Sequence, residues 1–465
     1  MKLQTIKNYF LHLPQAIFWN IIYRFPSKKL KIIGVTGTDG KTTTSNMIYH
    51  ILKHNNFKSG MVSTISAKIG DDDLDTGFHV TSPNPKDIQK YLKMMVDKKI
   101  EYVVLETTSH ALDQFRYWGI KFDYAVYTNI TQDHFDYHEN YENYLEAKLK
   151  LIDNLKGNGV VVANADDRSY EFIQKRILQM IRLSRKMDLV SYGIDKGINK
   201  AKNVQTNLEG IQFNLYRKDN ETWYSAEFDE KLNIDLFSMN HKDGILDKLF
   251  QVPMLGNYNV YNALAAISVC ENLKINLDNI ATALSTFTSL PGRMEVMTNK
   301  SYLESWKHSD LPMIIVDFAH TPNALENALT AVNNLKSKDS KLIVIFGCAG
   351  LRDTSKRPIM GEVAAKLADT IILVPEDPRT EDLEEINNQI EIGIRKVEEA
   401  FKPEVFRFDE PEVKSRELGI AKAMEIANPQ DIIVICGKGH EQSLCFGTTE
   451  YPYSDQEVVR KLIKD

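Results

Sequence analysis

The sequence predicts an α/β protein with two sheet-containing domains, and three observations predict it. From about residue 30, short β-branched runs ("LKIIGVTG", "YVVLETTS", "YAVYTNIT", "GVVVANADD") alternate with helical segments. That rhythm belongs to a mostly parallel sheet with crossover helices. Between residues 190 and 250 the pattern changes to short alternating pieces, such as "GIQFNLYRK" and "TWYSAEFDE", which read as a small antiparallel sheet. After the helical stretch "GNYNVYNALAAISVCENL" and the segment "LPGRMEV", a second α/β series begins: "PMIIVDFAH", "KLIVIFGCAG", "ADTIILVPEDP", "DIIVICGKGH". A chain of 465 residues is also too long for a single core. The expected divisions are an N-terminal helical segment over 1–29, a central domain over 30–296 and a C-terminal domain over 297–465.

Composition excludes several classes. A hydrophobic content of 43% and a charged content of 26% are those of an ordinary globular protein. The net charge of −6 offers no basic field for a nucleic-acid backbone, so no nucleic-acid partner is expected and phosphate binding must be local. Cys270, Cys348, Cys436 and Cys445 show no metal-ligand spacing and read as buried, reduced thiols, which fits a cytoplasmic location. No apolar stretch reaches the roughly 18 residues that span a bilayer.

The first segment, "NYFLHLPQAIFWNIIYRFPSKKLK", is apolar and flanked by bases, lacks a small-residue cleavage site and contains Pro14. It reads as a helix over 8–24 whose Phe10, Ile17, Phe18, Ile21 and Ile22 pack on the central domain or on a partner. Attachment to a membrane surface is the competing reading.

Next, "GVTGTDGKTTTSN" follows a strand and opens a helix. Gly37 and Gly40 let backbone N–H groups face a phosphate, Lys41 can reach the β- and γ-phosphates of ATP, and Thr42 can hold Mg²⁺. The stretch departs from the strict P-loop pattern, because Val35 occupies the first glycine position and a glycine lies one residue earlier. "YVVLETTSHALDQFR" puts Glu106 just past a buried strand, where α/β sheets carry ligand-binding residues. Glu106 is either a Mg²⁺ carboxylate or part of a helix start capped by Thr107, Thr108 or Ser109. "YAVYTNITQDH" repeats the arrangement with His134, either a structural histidine or a ligand. Lys148, in "YLEAKLKLI", reads on its own stretch as a solvated helix residue.

Taken together, "GTDGKTT", "ETTSHALDQFR", "TNITQDHFDYH" with a lysine further on, "LGNYNVYNALAA", "LPGRMEV", "DFAHTPNAL", "GCAGLRDTSKRP" and "GKGHEQ" resemble the Mur ligase family, in order from about residue 30 to the C-terminus. The resemblance implies a central ATPase domain, a C-terminal Rossmann-like domain, and an ATP-dependent amide ligase of peptidoglycan precursor synthesis. Such an enzyme joins an amino acid to a nucleotide-linked muramyl dipeptide through an acyl phosphate. It also implies a carbamylated Lys148 which, with His134, binds a second Mg²⁺ beside the one held by Thr42 and Glu106. A carbamate forms only from a neutral amine, so burial or a nearby cation must depress this lysine.

By the same resemblance Gly37, Thr38, Asp39, Gly40, Lys41, Thr42 and Thr43 cradle ATP, Asn259 and Asn262 support its base, and Arg293, Asp317 and His320 bring the C-terminal domain onto it. Thr81, Ser82, Thr108, Gln114 and Arg116 would contact the muramyl peptide. Arg352, Glu376, Asp377, Pro378, Arg379, Gly437 and Glu441 would contact the amino acid. The two arginines favour the distal carboxylate of meso-diaminopimelate, whereas Glu376 and Asp377 would welcome the ammonium of L-lysine. The family's UDP-binding domain, on the order of a hundred residues, is expected to be absent, with the peptide, another protein or a different carrier replacing its contacts. A folylpolyglutamate synthase-like ligase and an inactive scaffold are the alternatives. The DQFR and GKGHE stretches oppose the first, and intact Lys41, Thr42, Glu106, His134 and Lys148 oppose the second.

Overall fold

The β-branched runs assemble as strands of one large sheet in a computed structural model that describes residues 3–63, 66–70, 72–75, 83–183, 185–217, 224–229, 234–239, 246–297, 311–397 and 402–464. In chain order the strands are β1 (Lys31–Thr36), β2 (Ser59–Val62), β3 (Ser66–Ile69), β4 (Asp72–Asp75), β5 (Tyr102–Glu106), β6 (Phe122–Tyr127), β7 (Leu155–Asn164), β8 (Met187–Gly193), β9 (Asn199–Asn207), β10 (Gly210–Arg217), β11 (Tyr224–Asp229), β12 (Ile234–Met239) and β13 (Leu246–Val252). Their order is β13-β10-β9-β8-β7-β6-β1-β5-β2-β3-β4, with β11 and β12 branching from β8. The centre from β8 to β2 is parallel. β9 joins β8 in parallel, and β10 and β13 follow antiparallel, extending the same sheet at its edge.

Central strands are apolar on both faces because helices cover both, as parallel sheets require. Ile33 and Val35 of β1 pack with Ile48, Ile51 and Leu264 on one side. Ile32 packs with Leu149 and Ile152 on the other. β1 pairs with both β5 and β6, which lie on opposite sides of it. The strand order therefore reverses at β1, and the crevice beyond the C-terminal ends of β1, β5 and β6 is where such sheets bind ligands.

The second sheet runs β14 (Glu295–Val296), β15 (Met313–Asp317), β19 (Ile432–Cys436), β16 (Leu342–Phe346), β17 (Thr370–Leu373), β18 (Glu404–Arg407), and a hairpin follows from β20 (Ser443–Phe446) and β21 (Thr449–Pro452). The chain leaves the first core at Phe287 and enters the second at Met294, slightly ahead of residue 297. Leu255 and Tyr258 of the first domain pack in one cluster with Met294 and Ala319 of the second. All four cysteines are free and buried. No helix among the described residues is long and apolar enough to cross a membrane.

The N-terminal segment is helical from Leu3 to Ile22, with a π-turn over Asn8–His12. Its expected packing on the central domain is corrected, however. Phe10 is 76% exposed, Phe18, Ile21 and Ile22 are also exposed, and Ile17 is only half-buried. The buried stripe is Asn8, Ala16 and Asn20. Asn20 Nδ2 donates to the Trp118 carbonyl (2.5 Å), and Asn8 Nδ2 donates to the Asp113 carboxylate (2.7 Å) and carbonyl (3.2 Å). Acceptors on the domain surface need donors once covered, and that requirement turned the amides inward.

One buried ion pair ties the second domain together. Arg416, fully buried, donates to both Asp455 oxygens at 2.8 Å, to the Pro375 carbonyl beyond β17 and to the Cys436 carbonyl at the end of β19. Tyr453 donates to Asp455 as well (2.7 Å). Removing one partner strands the other charge in the interior. Asp455→Ala should therefore cost about 3–5 kcal/mol in urea denaturation, and a loss below about 1 kcal/mol, the scale of a surface pair, would refute this account.

Candidate active site

The loop between β1 and the helix Lys41–His54 is shaped by contacts that forbid side chains. A Cβ on Gly37 would lie 1.8 Å from Thr128 Oγ1, and one on Gly40 (φ 80°) would lie 2.3 Å from Asn262 Oδ1. Val35, which stands at the first glycine position of the motif, is a buried strand residue. The Thr38 N–H donates to the Asn129 carbonyl (2.7 Å) and the Asp39 N–H to Asn129 Oδ1 (2.9 Å). Beyond the loop the first turn of the helix offers its N-terminal dipole to the cleft, with Thr42 and Thr43 on the wall. Lys41 Nζ rests on the Thr38 carbonyl (2.7 Å). Thr42 Oγ1 donates to the buried carboxylate of Glu106 at 3.1 and 3.2 Å. Asn262 accepts from Thr44 Oγ1 (3.2 Å) and donates to Asn259, which donates to the Leu255 carbonyl. The two asparagines thus brace the loop from beneath.

Lys148 is not on a solvated face. It is 1% exposed on the helix Tyr141–Asp153, capped by Asn140, and its ammonium lies 4.5 Å from the Tyr144 ring centroid. Nζ donates to the Gly37 carbonyl at 2.6 Å. Burial, reinforced by Lys41, holds this amine well below the ordinary lysine range. His134 takes a left-handed backbone (φ 55°) and sits 3.2 Å from Asp133. Burial lowers it to about 4. Although burial works to raise the Asp133 carboxyl, His134, His320, Lys356 and Lys41 together hold it well below the carboxylate range. His110 packs edge-on against His134 with ring centroids 4.7 Å apart, and burial lowers it to about 3.

The facing wall comes from the second domain. Arg293 stacks over Phe318 (4.4 Å), and Asp317 accepts from the Met294 and Ala319 N–H groups (2.7 and 2.8 Å). His320 Nδ1 lies 2.9 Å from the Phe318 carbonyl, and Lys356 donates to the His320 carbonyl (2.7 Å). Asp39 of the P-loop accepts from Asn323 Nδ2 (2.7 Å) and Thr321 Oγ1 (3.4 Å), while Gln132 donates to Ser355 (3.0 Å). Both domains therefore enclose one cleft of about 310 Å³.

At one end of the cleft, exposed Arg352 and half-buried Arg379 lie on the wall. Arg379 (φ 54°) donates to the Gly350 carbonyl (2.7 Å). The carboxylate of Asp377 (φ 44°) is engaged by buried Lys438 (2.9 and 3.0 Å) and by the Cys445 N–H (2.9 Å). Lys438 also pairs with Glu441 (2.5 Å). Glu376 lies under Gly437, where a Cβ would come within 2.0 Å of its carboxyl, and burial pushes it up to about 8. Pro378 is buried behind, its carbonyl facing Gly350. At the other end, Thr108 both lines the cleft and caps the helix Ser109–Asp113 by accepting from the Ala111 N–H (3.3 Å). Arg116 reaches the cleft while bonded to buried Gln114 at 2.7 and 3.0 Å. Thr81 and Ser82 lie outside the described residues.

Sequence reasoning passed over His110, Asp133, Lys356 and His440, all of which line the cleft. Each stands inside a motif already quoted, Asp133 and His440 directly beside the chosen His134 and Glu441, so their signal was position relative to strand ends.

Comparison with known proteins agrees with this geometry. The Mur ligase middle domain matches residues 35–270, and the domain described as "Mur ligase, glutamate ligase domain" matches 292–439. A UDP-N-acetylmuramoyl-L-alanyl-D-glutamate–2,6-diaminopimelate ligase of Clostridium botulinum is 36% identical over 451 residues, covering 97% of this chain and 81% of that protein. The Fusobacterium nucleatum ligase of the same name is also 36% identical, over 95% of this chain and 79% of that one. A solved structure of a ligase of this name superposes with a TM-score of 0.60 at 26% identity, covering 97% and 83% of the two chains. The Mycobacterium tuberculosis folylpolyglutamate synthase shares the fold, with a TM-score of 0.63 at 15% identity over 91% of this chain and 92% of that one. With both domain models matched in sequence and the nucleotide loop closed over by the second domain, the chain belongs to the Mur ligase family of ATP-dependent ligases.

Proposed function

We propose that this protein joins meso-diaminopimelate to a UDP-N-acetylmuramoyl-dipeptide in peptidoglycan precursor synthesis. One observation supports the chemistry above the others: a fully buried lysine amine, Lys148, donates to the P-loop carbonyl of Gly37 within electrostatic reach of Lys41 and Glu106. The diaminopimelate-ligase activity for which relatives 36% identical are named supports the substrates.

ATP would lie along the first turn of the helix Lys41–His54, between the P-loop and Arg293, Asp317 and His320. The muramyl-peptide carboxylate, positioned by Arg116 and Thr108, attacks the γ-phosphorus; the bond to the bridging oxygen breaks and ADP leaves. The free amino group of the incoming amino acid then attacks the acyl carbon and loses its proton as inorganic phosphate departs. Lys41 spreads the charge that builds on the transferring phosphoryl group. The hydroxyl of Thr42 and the carboxylate of Glu106 are hard oxygen donors suited to Mg²⁺. Among the described residues no three His, Cys, Asp or Glu side chains form a ready-made cage. One Mg²⁺ would be held by Thr42 and Glu106 and a second by His134 and carbamylated Lys148, and both would neutralise phosphate charge. The buried, depressed amine of Lys148 suits carbamylation: its lone pair adds to CO₂ and a proton is released.

At the amino-acid end, Arg352 and Arg379 would clasp the distal carboxylate of diaminopimelate. Asp377 is occupied by Lys438, and Glu376, pushed up to about 8, is largely uncharged at neutral pH. Neither acid offers a free negative charge to the ammonium of lysine, which supports the diaminopimelate reading.

Three outcomes are expected. Lys148→Ala should lower kcat by at least about two orders of magnitude, and labelled bicarbonate should give a carbamate resonance that this variant lacks; full turnover without that resonance would remove Lys148 from the chemistry. Arg379→Ala should reduce kcat/KM for diaminopimelate by about a hundredfold while leaving a slow lysine reaction unchanged; lysine matching diaminopimelate in the unaltered enzyme would defeat the assignment. Asn323→Asp places two carboxylates face to face and should lower kcat/KM for ATP by at least about tenfold. The swap Asp39→Asn with Asn323→Asp should recover most of it, and failure to recover would mean that the contact does not couple the domains.

A further inference from the structure

The N-terminal helix is built inside out. Asn8, Ala16 and Asn20 face the protein, while Ile6, Phe10, Leu11, Phe18, Ile21 and Ile22 face away. A helix serving only the core of its own domain buries its apolar stripe and exposes its polar one. Here the inner face is bonded to Asp113 and Trp118, so the outer face is not waiting to roll inward. Exposed large apolar side chains gathered on one element mark an interaction surface.

The charge around this face narrows the occupant. Lys7, Arg24, Lys28 and Lys29 are exposed beside it, and no aspartate or glutamate occurs in the sequence before Asp39. The whole chain, by contrast, carries a net charge of −6. A second copy of the chain would bring two such basic faces together, which like-charge repulsion opposes. An anionic bilayer surface matches both features. The helical run is about 30 Å long at about 1.5 Å per residue, and its apolar face can enter the acyl boundary while the bases meet lipid phosphates. It cannot span, since its inner face is committed to the domain.

We infer that the segment Leu3–Lys29 is an interfacial anchor that docks this enzyme on anionic lipid. This goes beyond the ligase reading and does not depend on it. The placement has a consequence for the site. Asn8 is bonded to Asp113, and Tyr9 packs on Phe115 with ring centroids 5.2 Å apart, so the anchor grips the loop that carries Gln114 and Arg116. The proposed muramyl-peptide subsite would thus be held close to the membrane.

The test is flotation of the full chain with vesicles of equal phosphatidylglycerol and phosphatidylcholine, and with phosphatidylcholine alone. Binding to the anionic vesicles should exceed the neutral ones by at least about tenfold and weaken as salt rises. Phe10→Ser/Phe18→Ser/Ile21→Ser should abolish flotation without lowering the thermal transition or the ATP-dependent turnover of soluble substrates. Lys28→Gln/Lys29→Gln should reduce flotation several-fold. No flotation of the unaltered chain with anionic vesicles, or equal flotation of the triple variant, would overturn the proposal. So would a dimer in light scattering that the triple variant dissolves while vesicle binding is absent; that result would assign the face to a second copy.

Discussion

Lys148 Nζ, sealed from water and donating to the Gly37 carbonyl, sets the geometry that the rest of the cleft obeys. An amine in that position is costly unless something other than solvent satisfies it, so the helix Tyr141–Asp153 must be fixed in rotation and translation against β1 and β6. Packing of Leu145, Leu149 and Ile152 into the core below supplies that fixation. The same arrangement demands that position 37 lack a side chain, because Thr128 already fills the space a Cβ would need. One buried group thus links a helix, a strand end and a loop that are far apart in sequence.

The second domain is registered on this assembly through Asp39. The N–H groups of Thr38 and of Asp39 itself are taken by Asn129, and the Asp39 carboxylate points across the cleft to Thr321 and Asn323. Burial raises the Asp39 carboxyl, while the Asn323 hydrogen bond and Lys41 oppose that shift. A single loop residue therefore reports to both halves of the site. Leu255 and Tyr258 add an apolar contact next to it.

Much of this was legible in the sequence because the informative signals were periodic or positional. β-branched runs ending in Thr36, Glu106 and Tyr127 announced three adjacent strand ends, and a Gly-Lys-Thr after the first announced phosphate chemistry. What stayed hidden depended on three-dimensional accounting. The pairing of Asp377 with Lys438 joins residues whose separation carries no periodic signature. The N-terminal helix was read from hydrophobicity, yet its orientation was decided by acceptors at Asp113 and Trp118 that no local pattern reveals. Lys148 was ambiguous on its own stretch because its helix carries a buried and a half-buried lysine two residues apart, with Lys150 pairing to Asp113.

The described chain passes from one domain to the other only between Phe287 and Met294. Apart from that tether, polar closure rests on a handful of hydrogen bonds such as Asn323 to Asp39 and Gln132 to Ser355, each worth only about 1 kcal/mol net. With the apolar contact of Leu255 and Tyr258, these are what separation must undo, and separation is a swing about one short segment rather than a remodelling of either sheet. Catalytic cycling in such a molecule is a hinge problem. The chemistry needs both walls, whereas the escape of ADP needs only that they part, so the pace of turnover is tuned as readily by the seven or so residues of the tether as by any group that touches phosphate.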